Sequence, residues 1–348
     1  MIKPALYGLN NTNRDFSHKE AWGKNQFNSS FPVALCCYLH DRNIPANYLA
    51  IANGELTVAE ISINQVFNSN PNDASVYFAF EASHSPYQKY VVGKLPRTDL
   101  VIQNNGNCIA CFEIKLTALP DNVTCEWSED KYGSEIVIRP DTIVYLACSL
   151  ALGLGDKLNS TLETIFIDDW SDERQVLQYI DEIVDSIFRI SKVLEKDQKS
   201  FLIQPIWKTK GKSPELAENC LDVFVWSDAG FANFIASIAY KGENEKYTTI
   251  TRQIRTVVWL YKMLLEIKEA GKFNPKKIID ELTYNTKNDK AFASSGNITN
   301  QYMQCDRLVK PIIQKSEIKN LVLGEGQNLL SPERRFDAIL FNSPGLFL

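Results

Sequence analysis

No apolar run in this chain is long enough to cross a bilayer. Residues 1–20, MIKPALYGLNNTNRDFSHKE, are polar where a secretory leader would be apolar. Both absences predict a cytoplasmic protein with no membrane partner. A basic excess is missing as well. The formal net charge is −5, which excludes a wholly basic nucleic-acid coat. It leaves room for one basic groove, because the surface that faces phosphates is local. Histidine is scarce, and His18, His40 and His84 show no ligand spacing and support no catalytic triad. There is no internal repeat and no low-complexity tract. What remains is 348 residues, 45% hydrophobic and 23% charged, ordinary for a soluble globular protein and long enough to bury a core without staples.

Eight cysteines in a cytoplasmic chain are expected to be reduced thiols. Cys108 and Cys111 form a CxxC, but strand residues three apart point to opposite faces. The thiols are therefore expected to diverge, and no second CxxC completes a zinc site. Buried small hydrophobes are the better reading.

Along the chain, residues 29–44 (SSFPVALCCYLHDRNI) predict a capped helix, and 56–67 (LTVAEISINQVF) a strand or short helix. SVYFAFEAS (75–83) is aromatic and β-branched, hence strand. Residues 90–103 are expected to be extended, broken by Gly93 and Pro96. NNGN (104–107) is the strongest short turn signal, and 108–117 the next strand. A buried helix is expected at 139–155 and an amphipathic one at 171–195, with Val176, Ile180, Ile183, Ile187 and Ile190 on one face. A strand follows at 220–227 and a helix at 228–240. Later come helices near 249–269, 275–283 and 301–315, and a strand at 335–342. The order predicts a mixed α/β (α+β) fold, a central sheet flanked by helices. Residues 1–240 form the expected core with its N-terminal arm. Residues 241–348 are expected to form an extension packed on it and contacting DNA, with no linker between, so that the whole chain can also be one domain.

Chemistry concentrates in KLPRTDLVIQNNGNCIACFEIKLTALPD (94–121). If the NNGN turn joins two antiparallel strands, Asp99 lies roughly opposite Glu113. Lys115, two residues on, projects from the same face as Glu113. Strand packing does not ask for charges within apolar runs, because desolvation opposes them. Chemistry does: two carboxylates suit Mg²⁺, a hard cation, and an adjacent Lys can stabilise developing negative charge. That is a phosphodiester hydrolysis site. Glu-Ile-Lys itself is weak evidence, because it recurs at 266–268, on a helix, and at 317–319, without a hairpin.

This constellation resembles the PD-(D/E)xK nuclease superfamily, whose common core has the same order of helix, three strands, helix and strand. The resemblance assigns Asp99 and Glu113 to the metal and Lys115 to the attacking water. It departs at the first motif, where Pro96 precedes Asp99 by three residues. The segments LPRTDLVI, EIKLTALPD and DVFVWSDAGFANFI make the chain resemble type II restriction endonucleases of the HindVP family. That family implies Mg²⁺-dependent cleavage of double-stranded DNA at a short palindrome, expected as GRCGYC. A palindrome in turn implies a homodimer, and restriction implies a cognate DNA methyltransferase as genetic partner.

Many such sites add an upstream Glu, for which Glu81 is the first candidate and Glu60 and Glu20 are the others. Lys208, Lys210 and Lys212, in the basic loop WKTKGK, are candidate phosphate contacts, and Arg252 and Arg255 in TRQIR (251–255), with NTKNDKAFASSGNITNQ (285–301), suit base-edge readout. The Gly-Lys-Ser at 211–213 is not a P-loop, since Ile206 stands where the first Gly is needed. The acidic IDDWSDE (167–173) is expected to cap the helix that follows. Two alternatives remain: another nuclease of the same core, of repair or resolvase type, and a non-catalytic DNA-binding protein.

Overall fold

A computed structural model describes residues 33–34, 36–52, 55–113, 136–195, 207–210, 213–216, 228–242, 245–284 and 291–294. The first helix, α1 (36–41), falls within the helix expected at 29–44. Strands β1 (Ala46–Ala52) and β2 (Glu55–Ile61) pair antiparallel as a separate ribbon. The ambiguous 56–67 segment holds both forms, because α2 (Ile63–Phe67) follows β2 directly. Ser62 makes that switch: its Oγ accepts from the Gln65 backbone N–H at 3.3 Å, and Gln65 Oε1 accepts from the Ser62 N–H at 3.2 Å. This capping box satisfies two otherwise orphaned groups.

Three strands then form one antiparallel sheet: β3 (Val76–Ala82), β4 (Thr98–Asn104) and β5 (Asn107–Phe112), with β4 in the middle. A 3-10 helix (Ser85–Tyr90) separates β3 from β4. The chain is therefore a strand only from Thr98 onward, not over the whole of 90–103. The NNGN turn closes β4 to β5 as expected. Asn105 and Gly106 both take left-handed backbone, φ 49° and 79°, as a two-residue hairpin turn of this kind demands. Leu100, Val101 and Ile102 are buried on both faces, hence the unbroken apolar run in β4. Phe67 of α2 covers one face, against Phe78 and Phe112.

The other face meets helices. A short strand β6 (Ile136–Ile138) leads into α3 (Pro140–Leu154), which starts with Pro and ends at Gly155. After α4 (Leu158–Thr161), the amphipathic segment divides into α5 (Glu173–Leu177) and α6 (Ile180–Leu194). Asp172 caps α5 by accepting from the Arg174 N–H at 2.9 Å, the role expected of the acidic cluster. Val176, Ile180, Ile183, Ile187 and Ile190 are all fully buried, as the periodicity requires. Strands β7 (Trp207–Lys210) and β8 (Ser213–Leu216) pair as a hairpin, so the segment expected as a basic loop begins as a strand. Helices α7 (Asp228–Ala239), α8 (Arg252–Ala270) and α9 (Pro275–Glu281) complete the helical side, and β9 (Phe292–Ser294) pairs with β6. Side chains of α3, α6, α7 and α8 share one hydrophobic core.

The fold is mixed α/β, consistent with a restriction-endonuclease-like core. The described ladders are antiparallel, with one isolated parallel bridge, Val91 to Phe273. The elements expected at 220–227, 301–315 and 335–342 lie outside the described residues. Among the described residues, no helix is long and apolar enough to cross a membrane.

Candidate active site

Register places the acidic residues. On one side of β4, Phe80 pairs with Leu100 and Ala82 with Thr98, so Glu81 stands across from Asp99. On the other side Leu100 pairs with Phe112, and one step further Asp99 stands across from Glu113. The three acidic residues thus take neighbouring register positions across the sheet, Glu113 just past the end of β5, and all three are half-buried. Glu81 has left-handed backbone, φ 47°, inside a strand. Such a conformation in a non-glycine residue costs of order 1–3 kcal/mol and persists only where its surroundings impose it.

Alternation fixes the face. Cys111 pairs with Val101 and meets Tyr87 of the 3-10 helix and Cys148 of α3. Asp99 and Glu113, two residues from each of that pair, share this helix-covered face. Glu113, just past the end of β5, lies between two hydroxyls. Thr142, in the first turn of α3, donates to Glu113 Oε1 at 3.4 Å, and Thr98 Oγ1 lies 3.5 Å from Oε2. Thr98 also donates to the Phe112 carbonyl at 2.8 Å.

The approach to Asp99 is tied down as well. The Tyr145 hydroxyl donates to the Pro96 carbonyl at 2.8 Å and accepts from the His84 N–H at 3.2 Å. Ser83 Oγ reaches the same carbonyl at 3.1 Å. Burial and the nearby Glu113 carboxylate raise the Asp141 carboxyl above its usual range, while Arg139 acts against them. Burial also holds the His84 imidazole down at about 4, so it is neutral at physiological pH.

Other expected positions separate from this cluster. Glu60 is exposed on β2, in a different sheet. Glu20, Lys115 and Lys212 lie outside the described residues. Lys208 and Lys210 stand on β7, opposite Glu215 and Ser213. Arg252 opens α8. Arg255 requires a correction. It is fully buried, its guanidinium 4.7 Å from the Trp259 ring centroid, and from there it cannot present its guanidinium to DNA.

The CxxC requires another correction. Ile102 pairs with Ala110, but Gln103 pairs with Cys108, so Ile109 is an extra residue. A bulge shifts the alternation by one. Cys108 therefore turns to the same side as Cys111: it accepts from Ser85 Oγ at 3.4 Å, beside Tyr87, where Cys111 lies. Burial pushes the Cys111 thiol well up, so it behaves as an inert buried group. Among the described residues, no group of three or more His, Cys, Asp and Glu forms a metal-holding cluster.

The Glu-Ile-Lys copy on α8 serves structure. Glu266 pairs with Lys262 at 3.8 Å, and Lys268 donates to the Leu162 carbonyl at 2.7 Å. Thr98, Thr142 and Tyr145 had no place in the sequence reading. Thr98 adjoins Asp99, but nothing linear ties Thr142 or Tyr145 to the carboxylates.

Comparison with known proteins decides the family. The model of the HindVP restriction endonuclease family matches residues 22–347. The chain belongs to the HindVP restriction endonuclease family. It is 51% identical to the probable type II restriction enzyme HindVP of Haemophilus influenzae, across 99% of this chain and 96% of that protein. It is 44% identical to the type II restriction enzyme HgiDI of Herpetosiphon aurantiacus, across 99% and 97%. No solved structure matches the chain significantly. In this family member the acidic row of the small sheet lies under the N-terminus of α3.

Proposed function

We propose that this chain is a Mg²⁺-dependent type II restriction endonuclease that cuts double-stranded DNA. The observation that carries the reading is the cross-strand placement of Asp99 beside Glu113 in a member of this family, with Lys115 two residues on. Two carboxylates on adjacent strands fit Mg²⁺, which takes few protein oxygens and completes its shell with water and phosphate. Asp99 and Glu113 would hold the ion, and the bound ion supplies Lewis acidity to the phosphodiester. Lys115 orients the attacking water and balances the charge that develops on the phosphate. Water displaces the 3′ oxygen in line, a proton passes to that oxygen, and a 5′ phosphate remains. Glu81 is the third acidic group of the site.

The resemblance implies the target GRCGYC, and a palindrome calls for a homodimer in which each subunit cuts one strand. Lys208, Lys210 and Lys212 are the proposed phosphate contacts, and Arg252 is a proposed DNA contact that reads base edges. The genetic partner is a methyltransferase that protects the same sequence, and the site of action is the cytoplasm.

Digestion of unmethylated plasmid DNA with Mg²⁺, followed by end mapping, tests the reading. Discrete fragments ending at GRCGYC are expected, with no cleavage in EDTA and none by Lys115→Ala, which should still bind DNA. Absence of discrete fragments from the wild-type protein would count against restriction. Full cleavage by Lys115→Ala would remove the site assignment.

A further inference from the structure

We infer that Thr142 and Thr98 are positioning residues that hold Glu113 in place between the sheet and α3. The inference rests on the reading of Glu113 as a metal-binding carboxylate. Both threonines are 3% exposed. At such positions valine has the same shape and no hydroxyl to satisfy, and a buried hydroxyl is costly without a partner.

The partners here are specific. A Ser or Thr inside a helix can fold its hydroxyl back to the carbonyl four residues earlier. Ser186, Ser237 and Thr256 do this, while Ser149 and Ser191 donate away from their own helices, to Asp228 and to the Ala229 carbonyl. Thr142, in the first turn of α3, has Ile138 of β6 four residues earlier and so no carbonyl of its own helix to turn back to. Its hydroxyl leaves α3 and donates to Glu113 Oε1. Thr98 gives its proton chiefly to the Phe112 carbonyl at 2.8 Å, which fixes the backbone that carries Glu113. One hydroxyl therefore orients the carboxylate from the helix side, and the other anchors its main chain from the strand beside Asp99. Tyr145, one turn beyond Thr142 in α3, secures Pro96 ahead of Asp99. The start of α3 thus supports the surroundings of both carboxylates. Partners that orient a ligating carboxylate change metal affinity or activity by roughly 10–100-fold when removed.

The test compares Thr142→Val and Thr98→Val with Thr142→Ser, Glu113→Gln and wild type. Three quantities are measured: plasmid cleavage against Mg²⁺ concentration, Mn²⁺ binding to the DNA-free protein by calorimetry, and the unfolding midpoint. Each valine variant is expected to weaken Mn²⁺ binding and cleavage roughly ten-fold, with Thr142→Ser restoring both. The unfolding midpoint of Thr142→Val should stay close to that of wild type, which a purely structural tie would not allow; that of Thr98→Val should fall, because it also frees the Phe112 carbonyl. If a valine variant does not fold, the alanine variant at that position carries the comparison. Wild-type metal binding and cleavage in both valine variants, with Glu113→Gln inactive, would overturn the inference and leave the active-site reading standing. An active Glu113→Gln would overturn that reading itself.

Discussion

The Thr98 hydroxyl donates to the Phe112 carbonyl at 2.8 Å, so the residue before Asp99 is tied to the residue before Glu113. The backbones that carry the two carboxylates cannot shift independently while that bond holds. Removing one charge without changing its shape should therefore disable the site without disturbing the fold. Asp99→Asn and Glu113→Gln are each expected to lose several kcal/mol of transition-state stabilisation, roughly 10³-fold in rate. DNA binding in a gel-shift assay should persist. Cleavage within ten-fold of wild type in either variant would remove that residue from the site.

Glu81 separates strain from chemistry. Its left-handed backbone stands across from Asp99. Glycine accepts that conformation without a Cβ penalty, but it loses more entropy on folding. Glu81→Gly is therefore expected to keep stability within about 1 kcal/mol of wild type. Cleavage should still fall about ten-fold, as for loss of a group that supports a metal site. Urea unfolding and plasmid cleavage on the same preparation check both parts. Unchanged cleavage would leave Glu81 a strand residue only.

Gly106 tests the hairpin. A Cβ there would meet nothing within 4 Å, so substitution acts through the backbone alone, at φ 79°. Gly106→Ala should destabilise by about 1 kcal/mol, the cost of left-handed backbone in an L-residue. Because the turn sets the register that brings Asp99 to Glu113, cleavage should fall with stability. Denaturant unfolding measures the first effect. A neutral alanine would mean that the ladder, not the turn, fixes the register.

The hairpin and the α6 face were legible in the sequence because each follows from a local rule. Asn-Gly tolerates left-handed backbone, and Ile183, Ile187 and Ile190 repeat at the helical period. The misses arose where a neighbour overrode the local rule. One extra residue, Ile109, reversed the side on which Cys108 lies. A Trp one turn along α8 drew Arg255 into the core, where its charge would have suggested a surface. Pairing with Ser213–Leu216 made a strand of lysines that look like a loop. The link from Thr142 to Glu113 spans 29 residues and exists only once α3 packs on the sheet. Strand pairing and motif could bring the carboxylates together from sequence. The groups that orient them belong to tertiary structure.

Asp228 gives the fold a pH dependence of its own. It opens α7, and burial pushes its carboxyl up to about 6, while the Ser149 hydroxyl, hydrogen-bonded to Oδ2, pulls it the other way. The ordinary value in an unfolded chain is about 3.9. The folded state therefore holds this proton more tightly than the unfolded one. Linkage then requires stability to fall as pH rises from about 4 through about 6, and this contribution to level off above. Asp228→Asn keeps an acceptor for Ser149 and cannot ionise. Its stability relative to wild type should grow across that window, by on the order of 2 kcal/mol, and stay constant from pH 7 to 8. Urea unfolding of both proteins from pH 4 to 8 measures the difference directly. A difference that is flat with pH would show that Asp228 ionises in the folded protein as easily as in the unfolded chain.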